Sequence, residues 1–365
     1  MRTGVRAALW SAGLALLLAV IVLVSAGIGP VSIPPTVVGE VMLNALAVPT
    51  SVGVAGSAGS ASSAGAASWL PVRVGFSHIF SFDVPQTSVV IVTSVRLPRI
   101  VLGAVVGFAL AAAGTVMQGF FRNPMADPSI VGVSSGAAVG AVAVISLPVG
   151  VGLQTAAFAT GLVTAFGVYL LAGEDGRAPV ATLLLAGVAV QTFLGAVISY
   201  LLVESGQSLQ RAMYWLMGHL HDAAWADLRV PAVVVPVLFV VLLAYSRDLN
   251  VLLLGEEDAR TLGIDVERTR RVLLAASSLL TATAVAVSGV IGFVGLIVPH
   301  VMRLLVGPDH RILLPTSALA GAAFLVATDT IARSGPAELP VGIVTAALGA
   351  PFFLYLLRRR EVRAL

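Results

Sequence analysis

The chain is cut into apolar blocks of about 18 to 24 residues by short polar punctuation, and each block can cross a hydrocarbon core of about 30 Å as a helix. The blocks fall at residues 7–28, 97–120, 129–149, 152–172, 181–204, 229–246, 271–290, 291–306, 311–332 and 341–358. Ten spans are therefore expected, with both termini on one side of the membrane. The first block follows Arg2 and Arg6 like the start of a signal peptide. Its apolar stretch is longer than a signal core and many spans follow, so it reads as the first spanning helix. The block at 291–306 is the shortest and carries Pro299-His300.

Composition agrees with a membrane protein and removes several other classes. Charged residues make up 11% of the 365, against about 25% in soluble domains. All 21 basic residues are arginine. A P-loop needs a lysine on the β- and γ-phosphates, so any ATP used must be bound by another subunit. The absence of cysteine removes disulfides, thiolate zinc sites and cluster ligation. The net charge of +3 points to uneven arginine placement across a membrane, with no nucleic-acid partner implied.

The arginines orient the chain. Arg2 and Arg6 precede the first span, Arg260, Arg268, Arg270 and Arg271 crowd the loop between the sixth and seventh, and Arg358, Arg359, Arg360 and Arg363 follow the last. The positive-inside rule makes that shared face, and both termini, cytoplasmic. Arg96, Arg99 and Arg333 then fall on the outer face, against the rule. Residues 48–68 are nearly all Ser, Gly and Ala with little to bury, and are expected to form a flexible extracellular loop. Two ladders of small residues, Gly103-Gly107-Ala111 and Gly132-Gly136-Gly140, favour close helix packing within the chain. Hardly any carboxylate lies deep in a span apart from Asp329, which counts against a proton- or ion-coupled secondary transporter. No His-Glu-x-x-His is present for an intramembrane enzyme.

Three polar segments carry candidate chemistry. Residues 254–271 read as a short helix from Glu256 to Leu262, a Gly263 terminator and a second helix capped by Asp265. Leu254, Ala259, Leu262 and Ile264 among the charges suit insertion into a groove of a soluble partner, and a solvated loop fits the spacing equally. Arg96-Leu97-Pro98-Arg99 opens a span on the outer face and could pair with carboxylates of another protein or anchor to headgroups. Arg122-Asn123-Pro124-Met125-Ala126-Asp127-Pro128 is a double-proline break between spans, either a gate or a plain turn.

These segments, with Gly114-Thr115-Val116-Met117-Gln118-Gly119, Gly132-Val133-Ser134-Ser135-Gly136-Ala137, Leu183-Leu184-Leu185-Ala186-Gly187-Val188, Tyr214-Trp215-Leu216-Met217-Gly218, residues 292–300 and Glu338-Leu339-Pro340-Val341-Gly342, run in the order of a known signature. From about residue 95 to 358 the chain resembles the ABC-importer permeases for cobalamin, iron-siderophores and haem. The resemblance implies one all-α permease domain of the type II importer fold over residues 1–365, assembled as a homodimer in the cell membrane. It further implies two cytoplasmic ATPase subunits holding ATP-Mg, an external substrate-binding protein, and a bulky metal-chelate cargo. The chain itself would hold no cofactor and catalyse no reaction.

The family's ATPase-coupling loop falls on residues 254–270, with Gly255, Glu256, Asp258, Ala259, Arg260, Leu262 and Gly263 as its contact set. Its binding-protein docking arginines correspond to Arg96, Arg99 and Arg333, and its cytoplasmic gate to Asn123, Pro124 and Met125. A second gate position meets Val180-Ala181-Thr182, where only Thr182 is polar. Cobalamin is placed first among cargoes, ahead of ferric siderophore and haem. His219 and His221 stand two apart with no third ligand visible, and read as outer-loop residues and not a metal site. His300 reads as a polar helix-end residue, and Trp69, Trp215 and Trp225 as interfacial aromatics.

Overall fold

The computed structural model of the chain describes residues 3–45, 47–54, 72–78, 80–173, 179–335 and 337–359. The helices are α1 (Thr3–Gly27), α2 (Pro35–Asn44), α3 (Gln86–Val90), α4 (Leu97–Phe120), α5 (Val133–Ser146), α6 (Leu153–Leu171), α7 (Val180–Glu204) and α8 (Leu209–Leu216). They continue as α9 (Pro231–Ala244), α10 (Ser246–Leu252), α11 (Glu256–Thr261), α12 (Val266–Ser288), α13 (Val294–Val306), α14 (His310–Ala332) and α15 (Val341–Arg359). Six stretches cross by length and apolarity: α1, the run Gln86–Phe120, α6, α7, α12 and α14. The α9–α10 pair, bent by 49°, makes a seventh if it is one span, and α5, α13 and α15 are shorter apolar helices, so length and apolarity mark up to seven of the expected ten among the described residues.

Two expectations change. The second span begins upstream of residue 97, because a π-helical turn, Ile91–Arg96, joins α3 to α4 without interruption. The stretch expected as a loop from residue 48 begins instead in a strand, β1 (Ala47–Val54), paired antiparallel with β2 (Val72–His78). The remainder of that loop, with Trp69, lies outside the described residues.

Both ends of the described chain reach one face. Arg6 of α1 donates to the Val306 carbonyl at the end of α13, and Leu348 and Phe352 of α15 share an apolar pocket with Val301 and Met302 of α13. This is called the terminal face below, and the other the far face.

α4 is the most buried span, enclosed by α14, α12, α13 and α9. Lipid is as apolar as the side chains, so helices gain little from hydrophobic contact there, and close backbone approach at small residues dominates packing. The α4 ladder shows this directly. A β-carbon on Gly107 would lie 2.3 Å from the Gly321 carbonyl oxygen of α14, and one on Gly114 1.9 Å from that of Gly295 in α13. The second ladder faces α6, where β-carbons on Gly136 and Gly140 would meet the hydroxyls of Thr164 and Thr160 at 2.2 Å. Both ladders thus pack within the chain. Outside this core, Leu185, Val188, Phe193 and Val203 leave one side of α7 bare and apolar.

Replacing Gly114 by Val therefore forces α4 and α13 apart, at an expected cost of about 1–3 kcal/mol or more. Gly13→Val, where a new β-carbon meets nothing within 4 Å, is expected to be silent. Apparent melting temperatures of the two variants in detergent check this.

Candidate functional site

On the terminal face, α11 is a single short turn pinned to the start of α12. Gly255 (φ +144°) turns the chain into it, and Glu256, Glu257 and Asp258 in its first turn suit the positive end of the helix dipole. Gly263 (φ +82°) ends the turn with its N–H on the Arg260 carbonyl, and the Asp265 carboxylate caps α12 by accepting from the Arg268 N–H at 3.0 Å. The helix–Gly263–cap pattern is the one the sequence implies. The side chains differ. Ala259 is fully buried and Ile264 half-buried, so only Leu254 and Leu262 project apolar surface outward. Glu256 is held by Arg270 at 2.6 Å, and Arg260 lies 3.7 Å from both Glu256 and Glu267. The Glu256–Arg270 and Arg260–Glu267 pairs fasten α11 to α12.

Beside it, the break between α4 and α5 is built by local hydrogen bonds. Asn123 accepts from the Met125 N–H at 2.9 Å, and Asp127 accepts from the Ser129 N–H at 2.8 Å. Burial raises the Asp127 carboxyl above the ordinary carboxylate range, and the Ser129 bonds only partly offset this. Arg122, in the left-handed region at φ +47°, reaches across to the Leu252 carbonyl of α10 at 2.5 Å. Asn123, Pro124 and Met125 are half-buried, while Thr182 stands exposed at the start of α7 on the same face. α7 meets the break further along, where Gln191 donates to the Ile130 carbonyl at 2.9 Å.

Inside the membrane near this face, sequence reasoning misses a polar chain. Buried Arg303 of α13 donates to Gln118 of α4 at 2.8 Å, and Gln118 donates in turn to the Leu296 carbonyl at 2.9 Å. Next to it, Asn250 of α10 bridges the His310 ring at 2.8 Å and Asp309 at 2.7 Å. Hydrogen bonds from Arg311 hold the Asp309 carboxyl down at about 2. His300 lies buried within α13 and not at a helix end.

On the far face the three rule-breaking arginines find their reason. Arg96, 4% exposed, donates to the carbonyls of Ala26 and Val31. Arg333 donates to the Ile28 carbonyl at 2.8 Å and to the Ser25 carbonyl at 2.5 Å. Ser25 and Ala26 close α1, whose last carbonyls have no intrahelical partner, so the two arginines cap its negative end. Arg99 grips Asp329 through Nε and Nη2 at 2.9 and 2.8 Å and also donates to Glu338. Asp329, 2% exposed, lies in addition 3.5 Å from Arg333. The sequence marks Asp329 as the deep carboxylate but does not reveal its two partners. All three guanidiniums are engaged within the chain, and Glu338 is the one solvent-exposed member of the cluster.

Close by, Tyr214, His219 and His221 form a mutual ring cluster. Burial, with the neighbouring His221, pushes His219 down to about 4. Trp215 is buried against α5 and α12, unlike an interfacial tryptophan, whereas Trp225 is exposed and donates to the Thr93 carbonyl.

The described family model for FecCD transporters matches residues 16–359. The chain belongs to the FecCD transport family. It is 59% identical over 363 residues to the cobalamin import system permease protein BtuC of Halobacterium salinarum, covering 99% of this chain and 98% of that one. It is 45% identical over 282 residues to the hemin transport system permease protein HmuU of Yersinia pestis, covering 74% and 84%. A solved structure described as an inward-facing, metal-chelate type ABC transporter superposes with a TM-score of 0.76 at 31% identity, covering 96% of this chain and 98% of that one. The FecCD chain is thus a multi-pass transport permease.

Removing the Asp329 carboxylate leaves buried Arg333 without a counter-charge and Arg99 with only the exposed Glu338. Asp329→Asn is expected to cost about 3–5 kcal/mol. Glu338→Gln, at an exposed pair, should cost less than about 1 kcal/mol. Thermal unfolding in detergent separates the two.

Proposed function

We propose that this chain is the permease subunit of an ABC importer that carries a bulky metal chelate inward, with cobalamin as its cargo. The observation that supports it most is the 59% identity across nearly the whole chain to a permease named for cobalamin import. A haem or ferric-siderophore cargo is the second reading, supported by the 45% identity to a hemin permease. An ion-coupled mechanism has little to work with. Asp329, the deep carboxylate, is committed to Arg99 and Arg333.

In this reading the terminal face is cytoplasmic and both termini lie inside the cell. Arg6, Arg122, Arg260, Arg268, Arg270, Arg271 and Arg311 all cluster toward it, as the positive-inside rule requires. The permease works as a homodimer with two cytoplasmic ATPase subunits and an external binding protein. Because the chain has no lysine, ATP-Mg belongs to the ATPase.

The ATPase engages residues 254–270. Leu254 and Leu262 supply the apolar contact, and Gly255, Glu256, Asp258, Ala259, Arg260 and Gly263 shape and fix the turn that presents them. Since α11 is fastened to α12 by Glu256–Arg270 and Arg260–Glu267, a displacement imposed on α11 passes to α12 and to the helices packed on it, α4, α6 and α9. Asn123, Pro124, Met125 and Thr182 serve as the gate on that face.

The binding protein docks on the far face. Its carboxylates meet Arg99 first, by displacing exposed Glu338. Arg96 and Arg333 join only by giving up the end of α1.

Reconstitution with the cognate ATPase and binding protein in liposomes tests the proposal through uptake of labelled cobalamin. Leu254→Asp with Leu262→Asp is expected to lower uptake at least about tenfold, equal to about 1.4 kcal/mol of lost coupling. Thermal stability should not change, because both side chains are exposed. Glu256→Ala with Arg260→Ala should lower uptake as well. Uptake that proceeds without ATP overturns the importer reading.

A further inference from the structure

The segment after α8 holds two imidazoles in an arrangement the spacing does not disclose. Gly218 (φ +69°) turns the chain, the His219 N–H bonds the Ser288 carbonyl at 2.7 Å, and Leu220, 1% exposed, packs into the core against Gly103. With Leu220 pointing inward, the histidines on either side turn the other way and meet, their ring centroids 4.3 Å apart and inclined by 61°. Tyr214 closes the cluster, its ring 4.7 Å from His221 and 5.8 Å from His219.

The polar atoms are the informative part. Nδ1 of His219 and Nδ1 of His221 are both shielded from solvent, and neither has a hydrogen-bond partner among the described residues. Such an atom costs free energy unless something fills its lone pair. Behind His221, Asp222 Oδ2 lies 3.6 Å from Nε2, and Asp222 is held at φ +56°, a conformation uncommon for a residue with a side chain. At that distance the carboxylate does not hydrogen-bond the ring, but its charge favours the tautomer with the proton on Nε2 and the lone pair on Nδ1. Metal-ligating histidines are usually oriented in this way.

We propose that His219 and His221 bind a borderline divalent transition-metal ion, Zn²⁺, Ni²⁺ or Cu²⁺, through their Nδ1 atoms, with Asp222 orienting His221. Imidazole nitrogens favour these ions over Mg²⁺ or Ca²⁺. Bonds of about 2.0–2.1 Å to each nitrogen suit two rings already in contact. No group of three or more His, Cys, Asp or Glu surrounds one point among the described residues, so the ion takes no third protein ligand from them. The site lies on the far face, beside the end of α12 and the start of α15, whose Gly342 N–H bonds the Gly218 carbonyl at 3.2 Å. An ion here fixes that loop and stabilises the folded chain by mass action. The proposal does not depend on the cargo.

The test uses the purified full-length chain in detergent, with an affinity tag free of histidine. Titration with Zn²⁺ by calorimetry and with Co²⁺ by visible absorption is expected to show one saturable ion per chain, undisturbed by excess Mg²⁺. His219→Asn with His221→Asn should abolish it, and Asp222→Asn should weaken it about two- to fivefold, as an exposed charge pair allows. His78→Asn should leave it unchanged. Should the double variant fail to fold, Asp222→Asn decides, because that side chain is 94% exposed and can be changed without disturbing the core. Absence of saturable binding overturns the proposal. So does affinity unchanged in Asp222→Asn, or retained in a folded double variant.

Discussion

Everything else in this fold rests on how closely α4 can approach its neighbours. Two helices in lipid exchange one apolar surrounding for another, so their attraction comes from backbone contact and from polar groups that find partners. Gly107 against Gly321 and Gly114 against Gly295 let α4 lie directly on α14 and α13. α13 begins at a residue in the left-handed region, Phe293 at φ +70°, and its first turn brings Gly295 onto the backbone of Leu110 and Gly114 in α4.

Polar ties then fix each end of α4 in register. On the far face Asp329 pairs with Arg99 and stands beside Arg333, while buried Arg96 is held by backbone carbonyls alone. Near the terminal face Gln118 joins the first turn of α13, at Leu296, to its last, at Arg303. α1 depends on such ties most. It buries little of its surface, and Arg96 and Arg333 hold its end by charge-assisted bonds to carbonyls that would otherwise be bare.

The sequence discloses what depends on local pattern. Apolar block length marks the passes, and the acidic first turn, Gly263 and Asp265 mark the α11–α12 corner, because caps and dipoles act within a few residues. It conceals what depends on contacts between distant residues. Arg99 and Asp329 are separated by 230 residues, so no window shows that an arginine on the wrong side of the charge rule is answering a buried carboxylate and a helix end. The same holds for Ala259, which reads as part of an outward apolar stripe and is buried because α11 lies down on its neighbours. In the ring cluster, Leu220 decides the matter by pointing inward. The strand that replaces part of the expected loop has a similar origin, since β1 at the start of the Ser, Gly and Ala run pairs with β2 beyond its end.

α10 connects these parts on the terminal face. It immediately precedes the corner that holds α11, receives Arg122 from the α4–α5 break at the Leu252 carbonyl, and places Asn250 between His310 and Asp309 at the start of α14. Its 49° bend from α9 makes it a separate lever with its own attachments. In the proposed importer, a shift of the α10–α11 unit therefore reaches the gate segment and α14 through single hydrogen bonds, without first distorting α9. Hydrogen bonds to charged groups contribute about 1.5–3 kcal/mol each. That is strong enough to transmit a displacement and weak enough to exchange when the transporter changes state.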